Sequence, residues 1–64
     1  MLQVTLTDKA SKSFLKDLRT NAIAFQFQVR TTYYFLEDSP KLQMAIQLVK
    51  GRFGSPAIKV THLS

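Results

Sequence analysis

A small α+β domain, a three-stranded sheet with two helices packed on one face in the order strand, helix, strand, helix, strand, is the fold this sequence predicts. Three patterns predict it. Apolar and polar residues alternate from Leu2 to Thr7, from Phe25 to Phe35 and from Ile58 to Thr61, the period of strands buried on one face. Between them lie two stretches whose apolar residues recur every three or four positions, as on an amphipathic helix. The 64 residues make a single domain, near the lower size at which a chain without cross-links buries a useful core.

The first strand sets Leu2, Val4 and Leu6 against Gln3, Thr5 and Thr7. Thr7 or Asp8 is the expected cap of the helix that follows, and a carboxylate there also complements the macrodipole. Ala10, Phe14, Leu15 and Leu18 form its apolar stripe, while Lys9, Lys12, Lys16 and Arg19 occupy other positions around it. Asn21 is the expected left-handed stop.

The stretch from Ile23 to Leu36 organises the rest. Phe25, Phe27, Val29, Tyr33 and Phe35 share one parity, and Gln26, Gln28, Arg30, Thr32 and Tyr34 share the other. No Gly, Pro, Asn or Asp interrupts it, so a hairpin turn at Arg30, Thr31 and Thr32 has no turn chemistry behind it. The expectation is one long, bent strand, with a loosely turned hairpin as the alternative.

Glu37, Asp38, Ser39 and Pro40 then supply an acidic start, a capping hydroxyl and a proline at the first helical position. Leu42, Ile46, Val49 and Phe53 follow at spacings of four, three and four, marking a second helix. Gly51, Gly54, Ser55 and Pro56 end it, and Ile58 and Val60 alternate with Lys59 and Thr61 in a last strand. The expected core is Phe14, Leu18, Phe25, Phe27, Val29, Phe35, Ile46, Val49, Ile58 and Val60. The uncovered sheet face is expected to present Gln3, Thr5, Gln26, Gln28, Arg30, Thr32, Tyr34, Lys59 and Thr61.

Nine Lys and Arg against four Asp and Glu give a net charge of +5, which favours an acidic partner: a protein, nucleic acid or anionic lipid. The apolar runs are far shorter than the roughly 20 residues of a membrane span. Met1 to Thr7 lacks the basic and apolar regions of a signal peptide. With no cysteine there is no disulfide framework, thiol nucleophile or thiolate metal site, and the expected compartment is the cytoplasm.

Catalysis is not expected. His62, the only histidine, has no nucleophile or acid coupled to it by motif and reads as a surface residue. Glu37 and Asp38 precede a helix, whose dipole accounts for them. GRFG, from Gly51 to Gly54, matches no phosphate-binding loop. No cofactor or metal is expected either. The residues expected to meet a partner are Arg30, Thr32, Tyr34 and Lys59 on the open sheet face, with Arg19, Arg52 and Phe53 from the helices. Tyr34 suits stacking on a base or on another protein's side chain.

Two resemblances add to this. VTLTDKASKSFLKDL looks like the opening of the A-type iron-sulfur assembly scaffold proteins, whose ligand cysteines have no counterpart here. The second covers most of the chain. A short VTLT strand, a polar helical stretch ending in Arg19 and Thr20, a strand with Thr32, Tyr33, Tyr34 and Phe35, a helix with LQMAIQLV, glycines and a closing IKV strand together resemble the small phycobilisome linker polypeptides. These are the core-capping and rod-capping linkers. The family's Gly-Gly pair before the last strand and its Gln-Arg-Ile step are replaced here by separated Gly51 and Gly54 and by Gln43, Met44, Ala45 and Ile46. The resemblance implies a small basic protein of photosynthesis, seated in the opening of an acidic phycobiliprotein ring on the stromal or cytoplasmic side of the membrane. A basic module that binds single-stranded nucleic acid through the open sheet face is the alternative.

Overall fold

The computed structural model describes residues 1–63. Its order is β1 (Leu2–Leu6), α1 (Asp8–Thr20), β2 (Phe27–Val29), β3 (Thr32–Phe35), α2 (Pro40–Phe53), a 3-10 turn (Ser55–Ala57) and β4 (Ile58–His62). The sheet is antiparallel throughout, in the order β2-β3-β1-β4. Two helices and a sheet are as expected, but there are four strands where three were predicted. The element order is that of the ferredoxin-like, split βαβ arrangement.

The extra strand comes from the stretch expected to be one long strand. It is a hairpin, with Val29 paired to Thr32 across a two-residue turn at Arg30 and Thr31. No glycine makes the turn. Arg30 takes the positive φ, 56°, and its carbonyl accepts a hydrogen bond from Gln28 Nε2 at 2.8 Å. An even-numbered turn swaps parity, so the odd residues Phe27 and Val29 lie on the same sheet face as the even residues Tyr34 and Thr32. Phe27 and Val29 are therefore 46% and 53% exposed, which corrects their placement in the core. Gln28, expected on the open face, pairs with the buried Tyr33 and so points to the helix side.

Phe25 nevertheless packs against the core, because the parity swaps once more. The N–H of Gln26 donates to the Tyr34 carbonyl at 2.7 Å, while Phe27 is the register partner of that same Tyr34. Two consecutive residues thus meet one, the arrangement of a β-bulge. The bulge turns Phe25 inward, 5.3 Å from Tyr33 and 6.3 Å from Phe35 between ring centroids. Phe14 meets the same two rings at 5.2 and 6.1 Å, and all four contacts are edge-to-face. Each such pair contributes about 0.5 to 1.5 kcal/mol beyond the burial itself.

Leu2, Val4, Leu6, Tyr33, Phe35 and Ile58 face the helices, which answer with Ala10, Phe14 and Leu18 from α1 and Leu42, Ala45, Ile46 and Val49 from α2. Val60 is partly buried against them. One polar pair is sealed inside: Ser11 Oγ and the Tyr33 hydroxyl lie 3.1 Å apart. Across the helix layer, Arg52 donates to Ser13 Oγ and to Asp17 Oδ2, both at 2.9 Å, tying the end of α2 to α1.

The caps explain where the helices start and stop. Thr7 is the N-cap of α1 by its backbone, with no side-chain bond. Ser39 caps α2 with its hydroxyl, which accepts from the Leu42 N–H at 3.1 Å, and Pro40 follows in the first turn as expected. The stop of α1 lies one residue later than predicted. Asn21 has a φ of −99°, and Ala22 takes the left-handed conformation at 53°. The Ile23 N–H reaches Leu18 O at 2.8 Å and the Ala22 N–H reaches Arg19 O at 3.3 Å, the paired bonds of a Schellman motif. Ile23 then packs on the core, so the hydrophobic contact of that motif outweighs the missing glycine.

Candidate functional site

With both helices on one side of the sheet, its other side is uncovered. Each cross-strand pair shares a face, so the register fixes what that side presents. One row reads Phe27, Tyr34, Gln3 and Thr61, and the next reads Val29, Thr32, Thr5 and Lys59. Thr5 and Thr32 join their hydroxyls at 3.2 Å across β1 and β3. The polar middle of the face is thereby held in place.

At the β2 edge, Phe27 stacks on Tyr34 with ring centroids 4.3 Å apart and planes 15° from parallel. Rings facing each other between strands about 4.8 Å apart stand upright on the sheet. Phe27 consequently turns its second face to the open edge. The sequence reading found a single stacking residue, Tyr34, on this face. The structure brings Phe27 beside it and Val29 next in the strand, an exposed apolar cluster rimmed by Thr and Gln.

The charges are arranged differently. Lys59 is the only charged side chain in the two rows, and Arg30 sits in the turn beside Val29. Both lie at the same end of the sheet but at opposite edges, three strand spacings or about 14 Å apart. Among the described residues no carboxylate lies in these two rows. The remaining seven cations, Lys9, Lys12, Lys16, Arg19, Lys41, Lys50 and Arg52, belong to the helices.

The expected partner-binding set is therefore divided. Arg30, Thr32, Tyr34 and Lys59 come together on or beside the open face. Arg19, Arg52 and Phe53 do not; they lie in the helix layer behind the sheet. Arg52 is engaged with Asp17, the one ion pair among the described residues. Phe53, 40% exposed at the end of α2, borders a shallow hollow with Thr7, Asp8, Lys9, Pro56 and Ala57. On α2, Met44 and Leu48 form a second exposed apolar pair one turn apart.

Two of the four carboxylates, Asp17 and Asp38, have structural partners. Asp38 accepts from the Ser39 N–H at 2.8 Å and from Gln43 Nε2 at 2.9 and 3.0 Å, at the start of α2. Glu37 and Asp38 line a groove with Ile23, Phe25, Leu36 and Leu42 that contains no nucleophile beyond the capping Ser39. Among the described residues no three His, Cys, Asp or Glu gather to hold a metal ion, and no helix is long and apolar enough to cross a membrane.

Phe27 and Val29 are the functional candidates that the sequence reading missed. The signal was present in the pair Thr32 and Tyr34: a two-residue turn at Arg30 and Thr31 sets Phe27 opposite Tyr34 by arithmetic alone. Comparison with protein families, curated proteins and solved structures finds no significant match.

Proposed function

We propose that this chain is a non-enzymatic adaptor that seats against an acidic protein assembly, with the open sheet face as its anchoring surface. The observation that carries the reading is the Phe27–Tyr34 stack on an uncovered face that is nearly free of charge. Aromatic side chains with a nearby arginine, ringed by Thr and Gln, are the composition of a protein interface core with a polar rim. The cationic helix layer behind it supplies complementarity to an acidic surrounding. A body seated in an opening is contacted from more than one side, and this division of the surface suits that situation. The resemblance to small phycobilisome linkers supports a phycobiliprotein ring as the assembly, and a capping or organising role in light harvesting on the stromal or cytoplasmic side.

Titration of purified phycobiliprotein rings with the chain tests this. Saturable binding is expected, weakened about tenfold or more in Tyr34→Ala, as for an aromatic anchor worth at least about 1.4 kcal/mol. An absence of binding, or binding indifferent to Tyr34, refutes it.

The same stack favours a second reading, a single-stranded nucleic acid laid across the sheet with a base on Phe27. Seven of the nine cations lie off that face, which leaves Arg30 and Lys59 to follow the phosphates. That separation is why the protein partner ranks first.

A further inference from the structure

Lys9, Lys12, Lys16 and Arg19 stand at intervals of three, four and three residues in α1, and all four are exposed. At 3.6 residues per turn they fall within about 80° of arc, on the crest directly away from the Ala10, Phe14 and Leu18 stripe, over about 15 Å of helix. Among the described residues none of the four is in an ion pair; the pair present is Arg52 with Asp17. Lys9 with Lys12, Lys12 with Lys16, and Lys16 with Arg19 are like-charged neighbours, which weaken a helix. Lys9 also sits in the first turn, the wrong end for a cation. Arg19 in the last turn and Asp8 four residues before Lys12 offset part of this, but the like-charged run Lys9, Lys12 and Lys16 is not explained by the stability of α1.

We infer that this crest is a docking ridge for an acidic amphipathic helix of the partner protein. The three-four-three spacing is the helical repeat itself, so carboxylates spaced three and four apart on a second helix match it along its length. A duplex groove about 12 Å wide has phosphates on both walls and needs cations splayed to both sides of the helix, not along one crest. Insertion into an anionic membrane needs apolar side chains on the presented face, and the exposed positions of α1 are all polar. The ridge rests on the adaptor reading and adds a second contact, on the side opposite the sheet face.

The test uses the full chain and a dye-labelled helical peptide carrying glutamates three and four residues apart on one face. A control peptide has the same composition with the glutamates spread around the helix. The one-face peptide is expected to bind about tenfold more tightly than the control and to weaken as salt rises. Lys12→Gln with Lys16→Gln, a double variant at exposed positions, is expected to lower its affinity roughly tenfold, as for two ion pairs. Tyr34→Ala leaves it unchanged. Equal binding of the two peptides, indifference to Lys12 and Lys16, or tighter lysine-dependent binding of duplex DNA or anionic vesicles overturns the ridge. Ring binding that survives the double variant but not Tyr34→Ala removes the ridge alone; the reverse removes the sheet-face anchor and leaves the ridge.

Discussion

Phe27 lies flat against Tyr34, ring on ring at 4.3 Å, on the side of the sheet that neither helix covers. The contact exists because a two-residue turn brings Phe27 opposite Tyr34, and a bulge at Gln26 lets the chain return to the core at Phe25. Two small backbone events thus create the exposed aromatic surface on which the proposed function depends.

Phe27 and Phe35 are accordingly expected to respond differently to truncation. Phe35→Ala opens a cavity among Phe14, Phe25 and the helices and should cost about 3 to 5 kcal/mol, much of what a chain this size has. Phe27→Ala loses a half-exposed ring and one stacking contact, and should cost about 1 kcal/mol or less. Denaturant unfolding of both variants checks this, and equal losses would put Phe27 back in the core.

Ser11 and Tyr33 provide a second measurement. Ser11→Ala leaves the buried Tyr33 hydroxyl with only the Ser11 carbonyl, 3.4 Å away, and should destabilise by about 1 to 3 kcal/mol. Tyr33→Phe in that background removes the orphaned group and should recover part of the loss. The double-mutant cycle reports the coupling directly, and a coupling near zero would mean that the hydroxyl finds water instead.

Ala22→Gly should stabilise the chain by about 0.5 to 1 kcal/mol. Ala22 occupies the left-handed position of the α1 stop, where a Cβ costs roughly 1 to 2 kcal/mol and glycine's larger unfolded-state entropy recovers only part of that cost. Thermal melts of the two proteins decide it. An unchanged or lower midpoint would show that the strain is absorbed elsewhere.

The sequence made these features legible to different degrees. Ser39 with Pro40, the parity of Leu2, Val4 and Leu6, and the helix stripes apart from Phe53 each rest on one local pattern and appear where that pattern puts them; Phe53 ends α2 exposed, which corrects its place in the stripe. The stretch from Ile23 to Leu36 did not, because its alternation is consistent with two opposite placements of Phe27 and Val29. Only the turn length chooses between them, and Arg30 makes that turn with no glycine to announce it. Asn21 illustrates the same limit: the residue suited to a left-handed stop is present, yet the anchoring of Ile23 on the core moves the stop to Ala22. Tyr34, Thr32 and Lys59 were readable as a common surface because they neighbour core residues in their strands; Arg30 was grouped with them by an alternation with Val29 that the hairpin breaks, and it reaches the edge of the face as a turn residue. Arg19, Arg52 and Phe53 were grouped with them by charge and residue type, which carry no information about the side of the domain.

The most direct test of the sheet face as the anchoring surface is residue-specific line broadening in amide NMR spectra as substoichiometric acidic phycobiliprotein ring is added. The predicted result is broadening strongest at Gln3, Thr5, Phe27, Val29, Thr32, Tyr34 and Lys59, and reduced at these positions in Tyr34→Ala. Broadening confined to the helices, with these seven amides unchanged, would contradict it.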